Sequence, residues 1–281
     1  MSFFANITPF IIHPGDEGDI PGNTIEAVEH AATQWHALSS GVQGAIEADF
    51  RQLRDGTIIV CRYPHVEVDG KCYEWHEVDG EQIAKANAAQ FLPPEKQDGR
   101  FFKIPTLQEF CAAVRTAKFK LIAEIKVDES ASLGQKDFQT TSILTELRRS
   151  GFTPHNCLIT SFDADVLAAV QDYPTPFKRG LMTTEPDLPR IIALSDEVGL
   201  SSIHIKQEVL SPELAHEILM EGLLIFPFVV NDISRKEALQ SLQGVRSMLS
   251  DKASLLMLGH MNLERIVLPT HPVMKPSQFN S

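Results

Sequence analysis

Short apolar segments alternate with longer amphipathic ones along most of the chain. Eight segments have the length and composition of buried strands, and stretches with helical spacing separate most of them. The strand candidates are FIIH (10–13), AIEADF (45–50), TIIVCRY (57–63), KLIAEIK (120–126), NCLITSF (156–162), RGLMT (179–183), SSIHI (201–205) and LLIFPFVV (223–230). Helices are predicted over residues 24–38, 106–117, 142–150, 164–171 and 212–221. Eight strands alternating with helices favour a closed (β/α)8 barrel over a doubly wound open sheet.

The same pattern predicts a single domain over residues 1–281, with two segments outside the regular alternation. Residues 64–105 lack a clear period and contain several Gly and Pro residues, which predicts an insertion after the third strand. Long loops of this kind often carry functional residues. The segment from residue 255 to 281 is predicted to be an arm outside the barrel.

Composition and charge narrow the classes of function. The formal net charge is −12 at pH 7, which argues against nucleic acid as a partner because phosphate contacts require clustered Lys and Arg. The first residues, MSFFANITPFIIHPG, have neither the basic start nor the apolar run of a signal peptide, and no apolar stretch is long enough to predict a transmembrane segment. The four cysteines are scattered without metal-ligand spacing, which predicts reduced thiols. We therefore expect a soluble cytoplasmic protein.

Ionisable residues stand inside three of the predicted strands. Glu47 and Asp49 lie two positions apart in AIEADF, so strand alternation places both side chains on one face. Glu124 and Lys126 have the same spacing in KLIAEIK. His13 ends the first strand, where it fits either a buried structural histidine or an acid–base residue. Active-site groups of barrels lie at the C-terminal ends of strands, so all five residues are candidates for a site.

Two carboxylates on one buried face repel each other, and a divalent cation is one way to offset that repulsion. Glu47, Asp49 and Glu124 would form an all-oxygen site suited to Mg²⁺ or Ca²⁺. Lys126 would then stand nearby as a fixed positive charge for an anion. The alternative is a salt-bridge network that joins the same carboxylates to Lys126, Arg51 or Arg54.

A series of motifs occurs in a fixed order between Ile11 and Asp251. The motifs are IIHPG, GNT, AIEADFRQLRDGTIIV, IPTLQEF, LIAEIK, LITSFD, GLLIFPFVVND and GVRSMLSD. In this order they resemble the glycerophosphodiester phosphodiesterases over nearly the whole chain. The most specific parts are the ExD strand followed by Asp-Gly, the IPTL-E helix start and the EIK strand, and their combination is a strong signal.

The resemblance implies a TIM barrel that hydrolyses a glycerophosphodiester, such as glycerophosphocholine, to glycerol 3-phosphate and an alcohol. It implies a divalent metal held by Glu47, Asp49 and Glu124. It also implies that His13 is an acid–base residue and that Lys126 matches the lysine of the family's EIK strand. A small-molecule phosphodiester is therefore the expected partner.

Several positions depart from the pattern of that family. HRG is HPG here, with Pro14 in place of Arg, and ENT is GNT, with Gly22 in place of Glu. The His-Asp pair that ends the third strand is replaced by Arg62 and Tyr63. Since the family uses two histidines for proton transfer on opposite sides of the phosphorus, only His13 remains at its position.

These departures leave the source of the second proton open. Arg62 cannot donate a proton near neutral pH, because its pKa is above ~12, but it can bind a phosphate through two bonds. The acid could instead be His65, Tyr63, or His76 in the insertion. Two alternatives follow. One is a catalytically impaired member that binds a phospholipid head group or a phosphorylated ligand. The other is a phosphodiesterase for a different substrate, whose acid comes from residues 64–105.

Overall fold

The computed structural model describes residues 3–4, 7–13, 19–38, 43–253 and 256, which form a strand barrel surrounded by helices. The strands are β1 (Phe10–Ile12), β2 (Ala45–Gln52), β3 (Ile58–Val60), β4 (His65–Val68), β5 (Lys71–Glu74), β6 (Lys120–Ile125), β7 (Cys157–Ser161), β8 (Lys178–Thr183), β9 (Ser202–Lys206), β10 (Leu224–Phe228) and β11 (Met248–Ser250). All of them except β3, β4 and β5 belong to the parallel barrel.

The barrel strands follow one another in the order β10-β9-β8-β7-β6-β2-β1-β11, with every neighbouring pair parallel. A parallel bridge between Ile225 and Val245 brings the two ends of this order together. The backbone N–H of Arg246 donates to the carbonyl of Ile225 at 2.9 Å beside that bridge. The (β/α)8 TIM barrel predicted from the alternation of segments is confirmed.

The prediction that segment 57–63 is a barrel strand is wrong. Residues 58–60 form β3, which pairs antiparallel with the end of β2. The chain reverses at Gly56, whose φ of 87° favours glycine, and Gly56 N donates to the carbonyl of Leu53 at 3.0 Å. The eighth barrel strand is β11, which is only three residues long and therefore has a weak sequence pattern.

Eight helices are found among the described residues. They are α1 (Ile25–Leu38), α2 (Gly80–Ile83), α3 (Leu107–Thr116), α4 (Leu133–Arg149), α5 (Ala164–Asp172), α6 (Leu188–Val198), α7 (Pro212–Met220) and α8 (Ile233–Gln240). Four predicted helices match α1, α3, α5 and α7, whereas segment 142–150 covers only the second half of α4. The helices α2, α6 and α8 were not predicted. Within the described part of the chain, no helix is long and apolar enough to cross a membrane.

The insertion at residues 64–105 is more ordered than its sequence suggests. It contains the hairpin β4–β5, the single-turn helix α2 and three short 3-10 turns. Its buried side chains, among them Val66, Trp75 and Phe102, form an apolar cluster separate from the barrel core. The Trp75 indole N–H donates to the carbonyl of Tyr63 at 2.5 Å, which ties the insertion to the end of β3. Of the arm predicted at 255–281, only residue 256 lies within the described residues.

The inside of the barrel is filled by apolar side chains from opposite strands. Ile11, Ile122, Phe226 and Leu249 belong to one buried cluster, together with Phe3 from the N-terminal segment. A larger cluster lies between the strands and the surrounding helices. Polar side chains at the C-terminal ends of the strands therefore lie directly against this apolar interior.

One titratable side chain is enclosed in this interior. His204 on β9 is fully buried, and its ring stacks on Phe226 with centroids 4.7 Å apart. The Ser202 hydroxyl is its hydrogen-bond partner, 3.3 Å from Nε2. Burial without a charged partner lowers the pKa of His204 to about 3. His204 is therefore a packing residue that stays neutral at physiological pH.

Because its pKa is lowered on folding, His204 makes the protein sensitive to acid. The unfolded chain takes up this proton below pH ~6.5 and the folded chain does not, so stability is lost as pH falls from there toward 3, by about 1.4 kcal/mol per pH unit. In urea unfolding at pH 7 and pH 4.5, His204→Gln is expected to lose less stability than the wild type. His65→Gln, at an exposed position, is the control and should keep the full loss. An unchanged pH dependence in His204→Gln would contradict this account.

Candidate active site

The strand register brings three carboxylates together at the C-terminal end of the barrel. Glu47 and Asp49 lie on the same face of β2, and Asp49 is the register partner of Glu124 on β6. The three side chains are buried, at 1%, 2% and 3% exposure. Each offers an oxygen, and these oxygens all lie within 4.8 Å of one another. The cluster predicted from the spacing of the residues is thus present as a compact group of acidic oxygens.

The electrostatics of this cluster are unfavourable for three negative charges. Burial, reinforced by the charges of Asp49 and Glu124, raises the pKa of Glu47 well above its ordinary value. Burial and the charge of Asp49 likewise raise the pKa of Glu124 to about 7. Burial also acts to raise the pKa of Asp49, but Lys126 and a hydrogen bond from Asn23 outweigh it, so this pKa is lowered. Only Asp49 is therefore held firmly in its ionised form.

Lys126 is the cation of the cluster. Its Nζ contacts a carboxylate oxygen of Glu124 and lies 3.1 Å from Oδ1 of Asp49. Burial acts to lower the pKa of Lys126, but Asp49 and Glu124 outweigh it and raise this pKa. The ammonium also stands 5.5 Å from the centre of the Phe162 ring. Lys126 thus remains charged at the edge of the site.

The salt-bridge alternative is realised only in part. Lys126 pairs with two of the carboxylates, whereas the Arg51 side chain donates to the backbone carbonyls of residues 61 and 62. Arg54 pairs with Asp79, outside the site. Oε2 of Glu47 is buried and has no hydrogen-bond partner among the described residues. When all three carboxylates are ionised, the single charge of Lys126 does not balance their negative charge. This donor set therefore fits a divalent cation that prefers oxygen ligands.

His13 stands between the first and last barrel strands, at the edge of the carboxylate cluster. Its Nδ1 lies 2.6 Å from Oδ1 of Asp251, which directly follows β11. We assign the proton to Nδ1, because the carboxylate can only accept. This leaves the lone pair of Nε2 free, 3.9 Å from Oε2 of Glu47. His13 is thereby oriented with its reactive nitrogen toward the carboxylates.

Three polar residues of the site, Asn23, Asn231 and Asp251, are not among the site residues predicted from the sequence. Asn23 donates from Nδ2 to Asp49 at 2.9 Å and accepts from the Asp49 backbone N–H at 3.2 Å. Its φ of 62° is in the left-handed region, which asparagine tolerates better than most residues. Asn231 donates to Asp251 at 2.9 Å and so holds the carboxylate that contacts His13. The GNT motif just before α1 was the available signal for Asn23.

Arg62 and Tyr63, which replace the second His-Asp pair of the family, lie in different surroundings. Arg62 is exposed, and its positive charge acts to lower the pKa of both Glu47 and Asp251. Tyr63 instead stacks on Phe91, with ring centroids 4.5 Å apart, and its hydroxyl donates to the Phe91 carbonyl at 3.3 Å. Tyr63 is thus directed into the insertion, while Arg62 lines a small pocket together with Asn23.

A pocket of about 550 Å³ extends from the carboxylate cluster to the insertion. On the barrel side it is lined by Glu124, Lys126 and Phe162. On the insertion side it is lined by residues that include His65, Trp75 and His76. His65 and His76, the candidate acids of the insertion, therefore share one pocket with Glu124 and Lys126.

Fold and site together define a class of protein: a TIM barrel with a cluster of buried carboxylates at the C-terminal end of its strands. The model of the glycerophosphoryl diester phosphodiesterase family matches residues 13–255. The chain belongs to this family, as its motifs predicted, and is a hydrolase of the glycerophosphodiester phosphodiesterase kind. A search of the curated proteins gives no match to this sequence.

Solved structures show the same fold at low sequence identity. A phosphodiesterase of Oleispira antarctica, in complex with the product sn-glycerol-3-phosphate, has a TM-score of 0.78 and 19% identity over 93% of this chain and 100% of that one. A glycerophosphodiester phosphodiesterase of Parabacteroides distasonis has a TM-score of 0.72 and 15% identity, covering 92% and 98%. One from Thermotoga maritima has a TM-score of 0.65 and 19% identity, covering 89% and 97%.

Proposed function

We propose that the protein hydrolyses glycerophosphodiesters to glycerol 3-phosphate and an alcohol, with a divalent cation held by Glu47, Asp49 and Glu124. The observation that carries the proposal is the convergence of three buried carboxylates whose oxygens lie within 4.8 Å of one another. Family membership supports the reaction, and the product bound to the Oleispira antarctica structure supports the substrate class by analogy.

The donor set suits Mg²⁺ or Ca²⁺, because both prefer carboxylate oxygens. When bound, the cation supplies Lewis-acid stabilisation of the negative charge that develops on the phosphoryl oxygens. A bound cation would stabilise Oε2 of Glu47 in particular, since this oxygen is buried without a hydrogen bond among the described residues. Asn23 and Lys126 hold Asp49 in place and keep it ionised for this role.

His13 performs proton transfer through Nε2. Asp251 fixes the Nδ1 proton and stabilises the positive charge that appears when Nε2 takes up a second proton. Asn231 in turn holds Asp251 by a hydrogen bond of 2.9 Å. These contacts make His13 a base in its neutral form and an acid after protonation, without movement of the ring.

Two positive side chains neutralise the substrate phosphate. Lys126 has three N–H donors and uses two toward Glu124 and Asp49, so one remains for a phosphoryl oxygen. Arg62 is exposed near Glu47 and Asp251 and can bind the phosphate through two parallel bonds. In this role Arg62 substitutes in part for the arginine replaced by Pro14, which lies outside the described residues.

The leaving alcohol requires its own proton source or a metal-stabilised departure. Tyr63 is poorly suited, since its hydroxyl already donates to a backbone carbonyl of the insertion. His65 and His76 line the pocket shared with Glu124, so either is a candidate for this proton. The loss of the second family histidine favours one competing function, in which the site binds a phosphorylated ligand or lipid head group without turning it over.

The decisive assay is release of glycerol 3-phosphate from glycerophosphocholine and glycerophosphoethanolamine, with Mg²⁺, Ca²⁺, Mn²⁺ or EDTA. We expect turnover with a divalent cation and none with EDTA. Binding of glycerol 3-phosphate without turnover under any cation would instead support the binding function. Turnover of a different phosphodiester alone would support the alternative substrate.

Arg62→Ala is expected to raise KM for the phosphodiester by about tenfold with a smaller effect on kcat, because it removes a phosphate contact made before and during the reaction. Arg62→Lys should give an intermediate KM, since it keeps the charge but loses the forked geometry. Arg54→Ala is the control, as Arg54 pairs with Asp79 away from the site, and its KM should equal that of the wild type. A wild-type KM in Arg62→Ala would remove Arg62 from the site.

We also propose that residues 1–281 act as one barrel domain and that the protein works in the cytoplasm. The four cysteines are free, and three of them are buried, which agrees with a reducing compartment. The pocket has the volume of a small-molecule site, which agrees with a small phosphodiester as the partner.

A further inference from the structure

Three exposed side chains converge on the wall of the pocket, apart from the buried carboxylates. Nδ1 of His76 lies 3.3 Å from Oε2 of Glu74 and 3.5 Å from Oδ2 of Asp128. One oxygen or nitrogen of each lies within 4.8 Å of the other two. Glu74 and His76 belong to the insertion, whereas Asp128 lies in the loop after β6. Two separate parts of the fold thus contribute to one small cluster.

The two distances from the imidazole nitrogen of His76 suit ligands around a tetrahedral cation. Four ligands at about 2.1 Å from a tetrahedral centre lie about 3.4 Å from one another. Charge-assisted hydrogen bonds between an imidazole and a carboxylate are shorter, at about 2.7–2.9 Å. The two measured distances, 3.3 Å and 3.5 Å, match the tetrahedral edge.

Surrounding bonds orient the carboxylate of Asp128 and fix the backbone at Glu74. Oδ1 of Asp128 accepts from the backbone N–H and the hydroxyl of Ser130, at 2.8 Å and 2.7 Å, which leaves Oδ2 directed at His76. The backbone N–H of Glu74 donates to Glu77 at 2.9 Å, in a capping box that fixes the start of the turn bearing His76. Supporting bonds of this kind hold metal ligands in position.

We propose that Glu74, His76 and Asp128 form a second cation site, selective for a transition-metal ion such as Zn²⁺. The imidazole nitrogen distinguishes it from the all-oxygen cluster of Glu47, Asp49 and Glu124, because Zn²⁺ accepts nitrogen ligands and Mg²⁺ and Ca²⁺ prefer oxygen. Three protein ligands leave a coordination position for water. A cation at this site joins the insertion to the loop after β6 on the pocket wall.

The test is Zn²⁺ titration of chelator-treated protein by calorimetry in the Glu47→Gln background, which weakens the buried site and leaves the second one intact. We expect one Zn²⁺ per chain, and at least tenfold weaker binding after His76→Ala or Asp128→Asn. His216→Ala is the control, because His216 is an exposed histidine on α7 and does not line this pocket; its Zn²⁺ affinity should be unchanged. Co²⁺ as a probe should give the visible absorption of a tetrahedral centre, lost in His76→Ala.

Two outcomes would overturn the second site. One is a Glu47→Gln protein that binds no Zn²⁺, and the other is equal Zn²⁺ affinity with and without His76→Ala. Neither outcome touches the proposed hydrolysis, which is measured separately as Mg²⁺-dependent turnover of the wild type. Absence of that turnover, in turn, leaves the Zn²⁺ stoichiometry unaffected.

Discussion

Glu47→Gln is expected to abolish cation-dependent turnover while making the metal-free protein more stable. Burial and two neighbouring carboxylates raise the pKa of Glu47, so its charge destabilises the fold when no cation is bound. The amide keeps the shape of the side chain and removes that charge. It also removes a cation ligand, for which we expect a loss of at least ~10³-fold in kcat/KM.

The stability effect has a defined dependence on pH. A carboxyl group whose pKa is raised on folding binds its proton more tightly in the folded state, so the contribution of Glu47 to the stability of the metal-free protein is lost as pH rises above the unfolded value of 4.5. In EDTA, thermal unfolding between pH 5 and 8 should show the stability of the wild type falling relative to that of Glu47→Gln as pH rises, because His204 affects both proteins equally. Added Mg²⁺ should restore the stability of the wild type alone.

The control for Glu47→Gln is Glu129→Gln, an exposed carboxylate on the wall of the same pocket. It should change neither turnover nor the response to Mg²⁺. The double variant Glu47→Ala and Asp49→Ala should lose both Mg²⁺ binding and turnover. Unchanged activity in that double variant would refute the buried cation site.

His13→Ala is expected to lower kcat by 10²–10⁴-fold, the usual effect of removing an acid–base group. The loss should come with little change in Mg²⁺ affinity, because Nε2 lies 3.9 Å from Glu47 and is not one of the cation ligands. The measurement is steady-state hydrolysis of glycerophosphocholine with Mg²⁺ or Ca²⁺. Full turnover in His13→Ala would exclude His13 from proton transfer.

A second substrate assigns the direction of that proton transfer. A p-nitrophenyl phosphodiester releases a phenolate that needs no proton. If His13 is the acid for the leaving alcohol, the loss in His13→Ala should largely disappear with this substrate, and if it is the base, the loss should persist. Asp251→Asn keeps His13 but removes the acceptor of its Nδ1 proton, so it should shift the pH–rate profile and retain part of the activity.

Local periodicity was sufficient to predict which carboxylates share a face, because alternation along one strand is a short-range property. It placed Glu47 and Asp49 together on β2, as observed. The pairing of Asp49 with Glu124 depends on strand register, which spacing along one chain does not reveal. The same holds for His13 and Asp251, which meet although 238 positions separate them.

The error at residues 57–63 has a different cause. An apolar run of that length fits a parallel or an antiparallel strand equally well. The Asp-Gly pair at positions 55–56, directly between β2 and β3, is a hairpin signal that favoured the antiparallel pairing. Reading this run as a barrel strand gave the right total of eight while leaving β11 unassigned.

The hydrogen bond between His13 and Asp251 joins the first barrel strand to the last. During synthesis the first strand leaves the ribosome long before β11 exists, so His13 spends most of translation without its orienting partner. The reactive nitrogen acquires its direction only when the barrel closes. The nascent chain is thus expected to reach full hydrolytic activity only after its final strand has been made and the barrel has closed.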